Sequence, residues 1–339
     1  MKPTKEISNE RDSVSTNRGL HRLLILLASM TVILLVAGAL VTSNEAGDSV
    51  PDWPLSFGRW VINSNYFVAN VRFEYSHRVI AFFVGSTTLL LAIRALMTGV
   101  RPLIRNLTLA AFAGVVMQAL IGGARVSFPG YKPLIAIPHA LVAQSFFALI
   151  VGLIVITSAK WQQKGLLGKD FGKPTLRMLS ILTVCAVLAQ AALGAGFRHG
   201  AFGVLPHIVG AVLVSLLMIW ATLTILRRHS PDSYIRRPAV AMLTLLSCQL
   251  LLGPLAYLAR LRSYSDPQPL EPMITLTVAH VVVGALTLAS AVVLMLRCCQ
   301  TLSPARENDV PVKVFLKKPK LIMRPSRSFA SVLKTLEKI

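Results

Sequence analysis

Eight uncharged, apolar runs constrain this chain more than any other feature. They cover residues 23–41, 79–93, 107–124, 134–159, 178–197, 200–226, 238–259 and 273–296. A bilayer core takes about 20 apolar residues as a helix, because lipid offers no partner to a free backbone N–H or C=O. The second run is short as written. It reaches span length if it starts near Phe73 and carries Arg78 at its mouth. The expected fold is an all-α polytopic membrane protein with eight transmembrane helices. Charged residues make up only 14% of the chain and hydrophobic residues 54%, which argues against both a soluble enzyme and a disordered chain. The net charge of +21 is scattered between the runs with little aromatic interleaving, so nucleic acid is not an expected partner.

Lys and Arg concentrate in the N-terminal segment, the connections after the even-numbered runs and the C-terminal tail. By the positive-inside bias both termini are then cytoplasmic. The expected division is a cytoplasmic N-terminal segment (1–22), a first four-helix half (23–159), a cytoplasmic linker (160–177), a second four-helix half (178–297) and a basic tail (298–339). Cys185, Cys248, Cys298 and Cys299 form no CxxC pattern. Inside or at the end of apolar runs they read as small hydrophobes.

The third, fifth and seventh runs each contain Gln-x-x-x-Gly, at Gln118–Gly122, Gln190–Gly194 and Gln249–Gly253. More telling are the even runs. Each carries a histidine near its outer end (His77, His139, His207 and His280), and no odd-numbered helix is expected to have one. Halves with an even number of crossings enter the membrane from the same side, so the pattern describes a parallel duplication into two four-helix bundles.

Ionisable groups inside spans are rare and mark functional sites, and four histidines at one depth are not independent accidents. Zinc would draw three or four ligands to one centre. Two halves with two histidines each suggest two centres, and opposed imidazoles are a natural axial set for haem iron held in a bundle. The expected pairs are His77 with His139 and His207 with His280. Nearby small residues (Gly85, Ala140, Gly210, Gly284) would let a flat macrocycle approach, or would serve ordinary helix packing. Because all four ligands lie toward the outer face, the centres sit side by side, which disfavours electron transfer across the membrane. Glu74 lies one turn before His77, and none of the other histidines has an acid at that position. It would handle protons at a metal site, cap its helix, or pair with Arg72 or Arg78. Arg78, Arg125 and Arg198, at outer helix ends, would meet haem propionates or snorkel to the interface.

Several of these residues together resemble the haem A synthase family. They are Glu74-Tyr-Ser-His77-Arg78, the Val50-Pro-Asp-Trp-Pro-Leu55 segment, Gln118…Gly122-Gly123, Pro138-His139-Ala-Leu, His207 and His280. The resemblance covers about residues 20–300. It implies an eight-helix membrane oxidoreductase of two four-helix halves that oxidises the C8 methyl of haem O to a formyl group, giving haem A for terminal oxidases. It further implies that His207 and His280 hold a haem b cofactor, that His77 and His139 flank the substrate haem, and that Glu74 is the catalytic acid. An electron donor, and haem O synthase or oxidase assembly factors, are the implied partners. Some members carry a cysteine pair beside the Asp-Trp-Pro segment; Val50 and Ser56 stand there in this chain. The competing readings are a non-enzymatic bis-histidine cytochrome or haem carrier, and a transporter that uses the histidines as a relay.

Overall fold

The computed structural model describes residues 4–228, 232–263 and 269–304, except for the side chains of residues 4–17, 129 and 132. The expected basic tail lies outside the described residues beyond 304. Long helices dominate: α1 (Thr4–Ser43), α2 (Val71–Met97), α3 (Pro102–Ser127), α4 (Lys132–Thr157), α6 (Leu176–Arg198), α7 (Leu205–Arg228), α8 (Ser233–Ser263) and α9 (Glu271–Thr301), with a short α5 (Ala159–Gln163) after α4. All eight long helices are apolar enough to cross a membrane. The chain is an integral membrane protein.

Local chemistry sets the helix ends. α3, α4 and α9 start with proline in the first turn, where the missing N–H costs no helical bond. α6 starts under two acceptors. Thr175 takes the Met178 N–H, and the Asp170 carboxylate takes those of Leu176 and Arg177, each at 2.9 Å; a negative charge there also suits the helix dipole.

Packing follows chain order. α1 packs on α2 and α4, α2 on α3, and α3 on α4. The same pattern recurs among α6, α7, α8 and α9, with α6 touching α9. One apolar cluster joins Leu20, Leu24, Leu27, Leu91, Ile150 and Leu153. Another joins Leu176, Leu179, Met218, Ile225, Ile235 and Met242. A smaller seam of Leu35, Phe147, Ala285 and Ala289 joins α1, α4 and α9.

At the helix ends far from the four histidines, a polar clasp ties the connection after α4 to α9. Strand β1 (Gly168–Asp170) pairs in parallel with β2 (Leu302–Pro304). Gln300 Nε2 donates to the Trp161 carbonyl at 2.6 Å, and Gln300 Oε1 accepts from the Tyr234 hydroxyl at 2.8 Å. The Lys164 ammonium meets the Asp232 carboxylate at 2.9 Å. Burial alone would raise the Asp232 carboxyl, but Lys164 and the Tyr234 N–H outweigh it and hold the group below its usual 3.8.

Candidate functional site

The four histidines lie in a layer of the molecule whose residues are mostly part-buried. In the second half no residue is buried in 188–195, 205–213, 247–255 or 275–284, the stretches of α6 to α9 at histidine level. In the first half the same holds for 75–83, 112–122 and 137–145. Protein interiors are ordinarily packed to crystal density. The histidine level is therefore loosely packed on all four helices of the second half and on α2, α3 and α4 of the first, while α1 keeps Leu35 and Ala39 buried there.

His207 and His280 face each other across this layer, with ring centres 6.2 Å apart and planes at 83°. A metal bonded by one nitrogen of each ring at about 2 Å places the ring centres roughly 6 Å apart. The pair therefore fits a single metal held between opposed imidazoles. His77 and His139 form no comparably close ring pair. The buried Nδ1 atoms of His139 and His280 have no hydrogen-bond partner, which is costly for a polar atom without further employment. Among the described residues, no three or more His, Cys, Asp or Glu gather as a metal site. The donor set suits paired axial ligation of a macrocycle-bound metal.

Each of these histidines also has a seat. A methyl group added to Gly38 of α1 would stand 3.2 Å from His77 Cε1, and one on Gly122 of α3 would stand 3.4 Å from His139 Cε1. The matching distances are 3.0 Å from Gly194 of α6 to His207 and 3.3 Å from Gly253 of α8 to His280. One turn before two of these seats, glutamines hold the neighbouring helix. Gln190 Nε2 donates to the His207 carbonyl at 2.9 Å and lies 3.0 Å from His207 Nδ1. Gln249 Nε2 donates to the His280 carbonyl at 2.8 Å. Gly210 and Gly284, expected to make room for a macrocycle, instead accommodate the Gln190 and Gln249 side chains. The Gln-x-x-x-Gly pattern was the sequence signal for these seats, but spacing alone does not say what a glycine faces.

The first half carries the chemistry that the second lacks. Glu74, 5% exposed, binds Arg78 at 2.7 Å through Oε1 and accepts the Val50 N–H at 2.9 Å through Oε2. Arg78 in turn donates to the carbonyls of Asp52 (2.7 Å) and Leu55 (2.9 Å), and reaches Ser56 Oγ and the Val50 carbonyl at 3.4 Å. Its guanidinium is thus employed in pinning the segment between α1 and α2. The Asp52 carboxylate closes that segment by accepting the Phe57 and Gly58 N–H groups. The Trp53 ring lies against Gly123, where an added methyl would come within 2.5 Å of it.

Arg125 and Arg198 meet differently. Each buries an Nε with no partner. The Arg125 guanidinium covers Gly47, while Arg198 donates to the Thr42 carbonyl at 2.9 Å. Beside them lie His199, at the end of α6, and Arg260, whose guanidinium stands 5.0 Å over the Phe197 ring. Burial first, then Arg125, Arg198, His139 and Arg260, pushes His199 down to about 4. Sequence reading missed His199 and Arg260, because neither stands in a repeated position. The expectation of no histidine on an odd-numbered helix does not hold either: His21 lies within α1, near the start of its apolar span Arg18–Ser43, and bonds Thr157 Oγ1 at 2.9 Å, at the clasp end.

A family model described as cytochrome oxidase assembly protein matches residues 21–205, more than half of the chain. The chain belongs to that family. The match takes in Glu74, His77 and His139 and ends just before His207. Among curated proteins the chain is similar to Heme A synthase of Alkalihalophilus pseudofirmus, 33% identical over 123 residues, 35% of this chain and 40% of that protein. It is also similar to Heme A synthase of Halalkalibacterium halodurans, 30% identical over 139 residues, 39% of this chain and 46% of the relative. For Heme A synthase of Shouchella clausii the figures are 31% over 139 residues, 40% and 45%. These alignments span less than half the length of each relative.

Proposed function

We propose that this member of the family is a haem A synthase, built as two four-helix halves of parallel topology. The two closed sets of helix contacts and the two separate apolar clusters support the division. The observation that carries the function is the loosely packed layer, with histidines entering it from α2, α4, α7 and α9. In this reading His207 and His280 hold a haem b cofactor, and the 6.2 Å separation of their rings fits one metal between them. His77 and His139 flank substrate haem O.

Bound haem supplies the redox chemistry, and the protein supplies position and charge. Glu74, one turn from His77, is the catalytic acid that takes and returns protons, with Arg78 fixing its carboxylate. Arg125 and Arg198, with His199 and Arg260 beside them, take the carboxylates of the macrocycle; the unpartnered Nε atoms support that role. In this reading both termini are cytoplasmic and the histidine layer lies toward the outer face, which the positive-inside distribution of Lys and Arg supports. An electron donor is required, and haem O synthase or oxidase assembly factors are natural neighbours.

The test is to express the chain with a haem O supply and an electron donor, then extract and separate the haems. Haem A or its hydroxylated intermediate alongside haem B is the expected result. Haem B with unchanged haem O would replace the enzyme with a cytochrome or carrier. A preparation without haem would sink the paired-ligand reading and return the histidines to a relay.

A further inference from the structure

We propose that Gly38, Gly122, Gly194 and Gly253 are positioning residues that set the depth at which each histidine enters the layer, and that Gln190 and Gln249 lock the two helices of the second pair at that depth. The proposal rests on the haem reading of the histidine pairs and adds to it the parts that aim the ligands.

The geometry repeats four times on four different helix pairs. In each case the glycine belongs to the helix preceding the histidine, and the ring's Cε1 lies 3.0–3.4 Å from where a Cβ would be. Ordinary carbon–carbon contacts are about 3.5–4 Å. A side chain at Gly194, Gly38 or Gly253 would therefore require the imidazole to give by a few tenths of an ångström, with Gly122 at the edge of ordinary contact. Close approach is common to the helical glycines here, but at these four the atom approached is a histidine ring, whereas Gly114, on the same helix as Gly122, would meet only Phe146 at 4.0 Å. The glutamine adds an independent constraint. Four residues before Gly194 and Gly253, Gln190 and Gln249 lie on the same helical face as the seat. Each bonds the histidine's own backbone carbonyl, at 2.9 and 2.8 Å. Helix-to-helix height is thereby fixed at the residue that carries the ligand.

Position matters because an axial ligand tolerates little error. The iron must lie on the line of both ring nitrogens, and groups that hold a ligating histidine commonly change metal affinity 10–100-fold when altered. At the position matching Gln190, four residues before Gly38, α1 has Leu34. Two of the three glutamines therefore act on the second half's pair, and only Gln118 stands before a seat of the first half. The pair at single-metal distance is also the pair whose two helices are both locked. In the first half no glutamine takes that part for His77, whose ring is bonded by the Leu34 backbone instead.

The experiment compares wild type, Gly194→Ala, Gly253→Ala, Gln190→Leu, Gly122→Ala and Gly114→Ala, each purified in detergent and checked for a single size-exclusion peak. Total haem and the low-spin electron paramagnetic resonance signals of the two sites are read, not only turnover. Gly194→Ala, with the tightest seat, is expected to lower second-half haem roughly tenfold or to shift its signal, leaving the first-half signal in place. Gly253→Ala and Gln190→Leu are expected to do the same more weakly. Gly122→Ala should disturb only the first-half signal, and Gly114→Ala neither. A general loss of fold would move both signals together, so half-selective loss separates aiming from bulk packing. Seat variants with the wild-type haem content and signals overturn this proposal alone. A wild type that purifies without haem overturns both it and the reading on which it rests.

Discussion

The two histidine pairs lie in the same layer and are seated in the same way, yet the chain has finished them differently. His207 and His280 face each other at 6.2 Å, with both helices tied by glutamine to their neighbours. His77 and His139 form no such close pair. They lie instead beside a buried carboxylate, an arginine that bonds the α1–α2 segment at four points, and a tryptophan pressed on Gly123. One duplicated frame thus yields a rigid holder and a covered, chemically equipped chamber. On the proposed haem reading, the repeat would specify where a haem goes, and the departures from the repeat what happens to it.

The largest break in this comparison comes from a ligand. His280→Ala is expected to remove nearly all haem from the second half, because an iron left with one protein ligand in an oversized site loses its axial geometry. The first half should keep its own signal. Equal loss from both halves, read by haem quantitation and electron paramagnetic resonance, would show that the halves do not fill independently.

Next comes the latch over the first half. Arg78→Gln leaves the Glu74 carboxylate buried without its counter-charge, and breaking such a pair costs roughly 3–5 kcal/mol. The segment 44–70 is therefore expected to exchange its amide hydrogens much faster, with little change at His207 or His280. Arg78→Lys, which keeps the charge but not the planar fork, should fall between wild type and Gln. Slow exchange retained in Arg78→Gln would mean that Trp53 and Asp52 hold the segment by themselves.

Much of this was legible before any coordinates. The eight apolar runs each became a helix long and apolar enough to span, because membrane helices carry their signal locally in composition. The second run also lengthened as expected, with Arg78 inside α2. The four histidines stood out because they recur at one depth. What composition and spacing could not carry was direction. Gly210 and Gly284 looked like room for a macrocycle and turned out to house glutamines. Arg78 looked like a propionate contact, yet its donors go to carbonyls in a segment 22–28 residues earlier in the chain. That pairing depends on how the segment folds back, which no helical periodicity encodes. Val50 and Ser56, standing where some family members have cysteines, illustrate the same point. Both are buried and both bond the Glu74–Arg78 pair, so an ionic latch pins the segment where those members have a cysteine pair.

The smallest effect should come from the clasp, which touches neither chamber and so gauges how far a local change spreads. Lys164 and Asp232 form a partly exposed pair, worth about 0.2–1 kcal/mol. Since the folded Asp232 carboxyl lies below 3.8, its stabilisation is complete above that value. It fades as pH falls through the lower folded one. Asp232→Asn is therefore expected to lower thermal stability slightly at neutral pH, with the gap to wild type closing as the pH drops below 3.8. Both haem signals should be untouched throughout. If this substitution altered the ring pair at His207 and His280, the clasp would be coupled along α7, α8 and α9 to the ligands. The holder would then be tuned from the opposite end of the helices, and the contrast between the two halves would have to be redrawn.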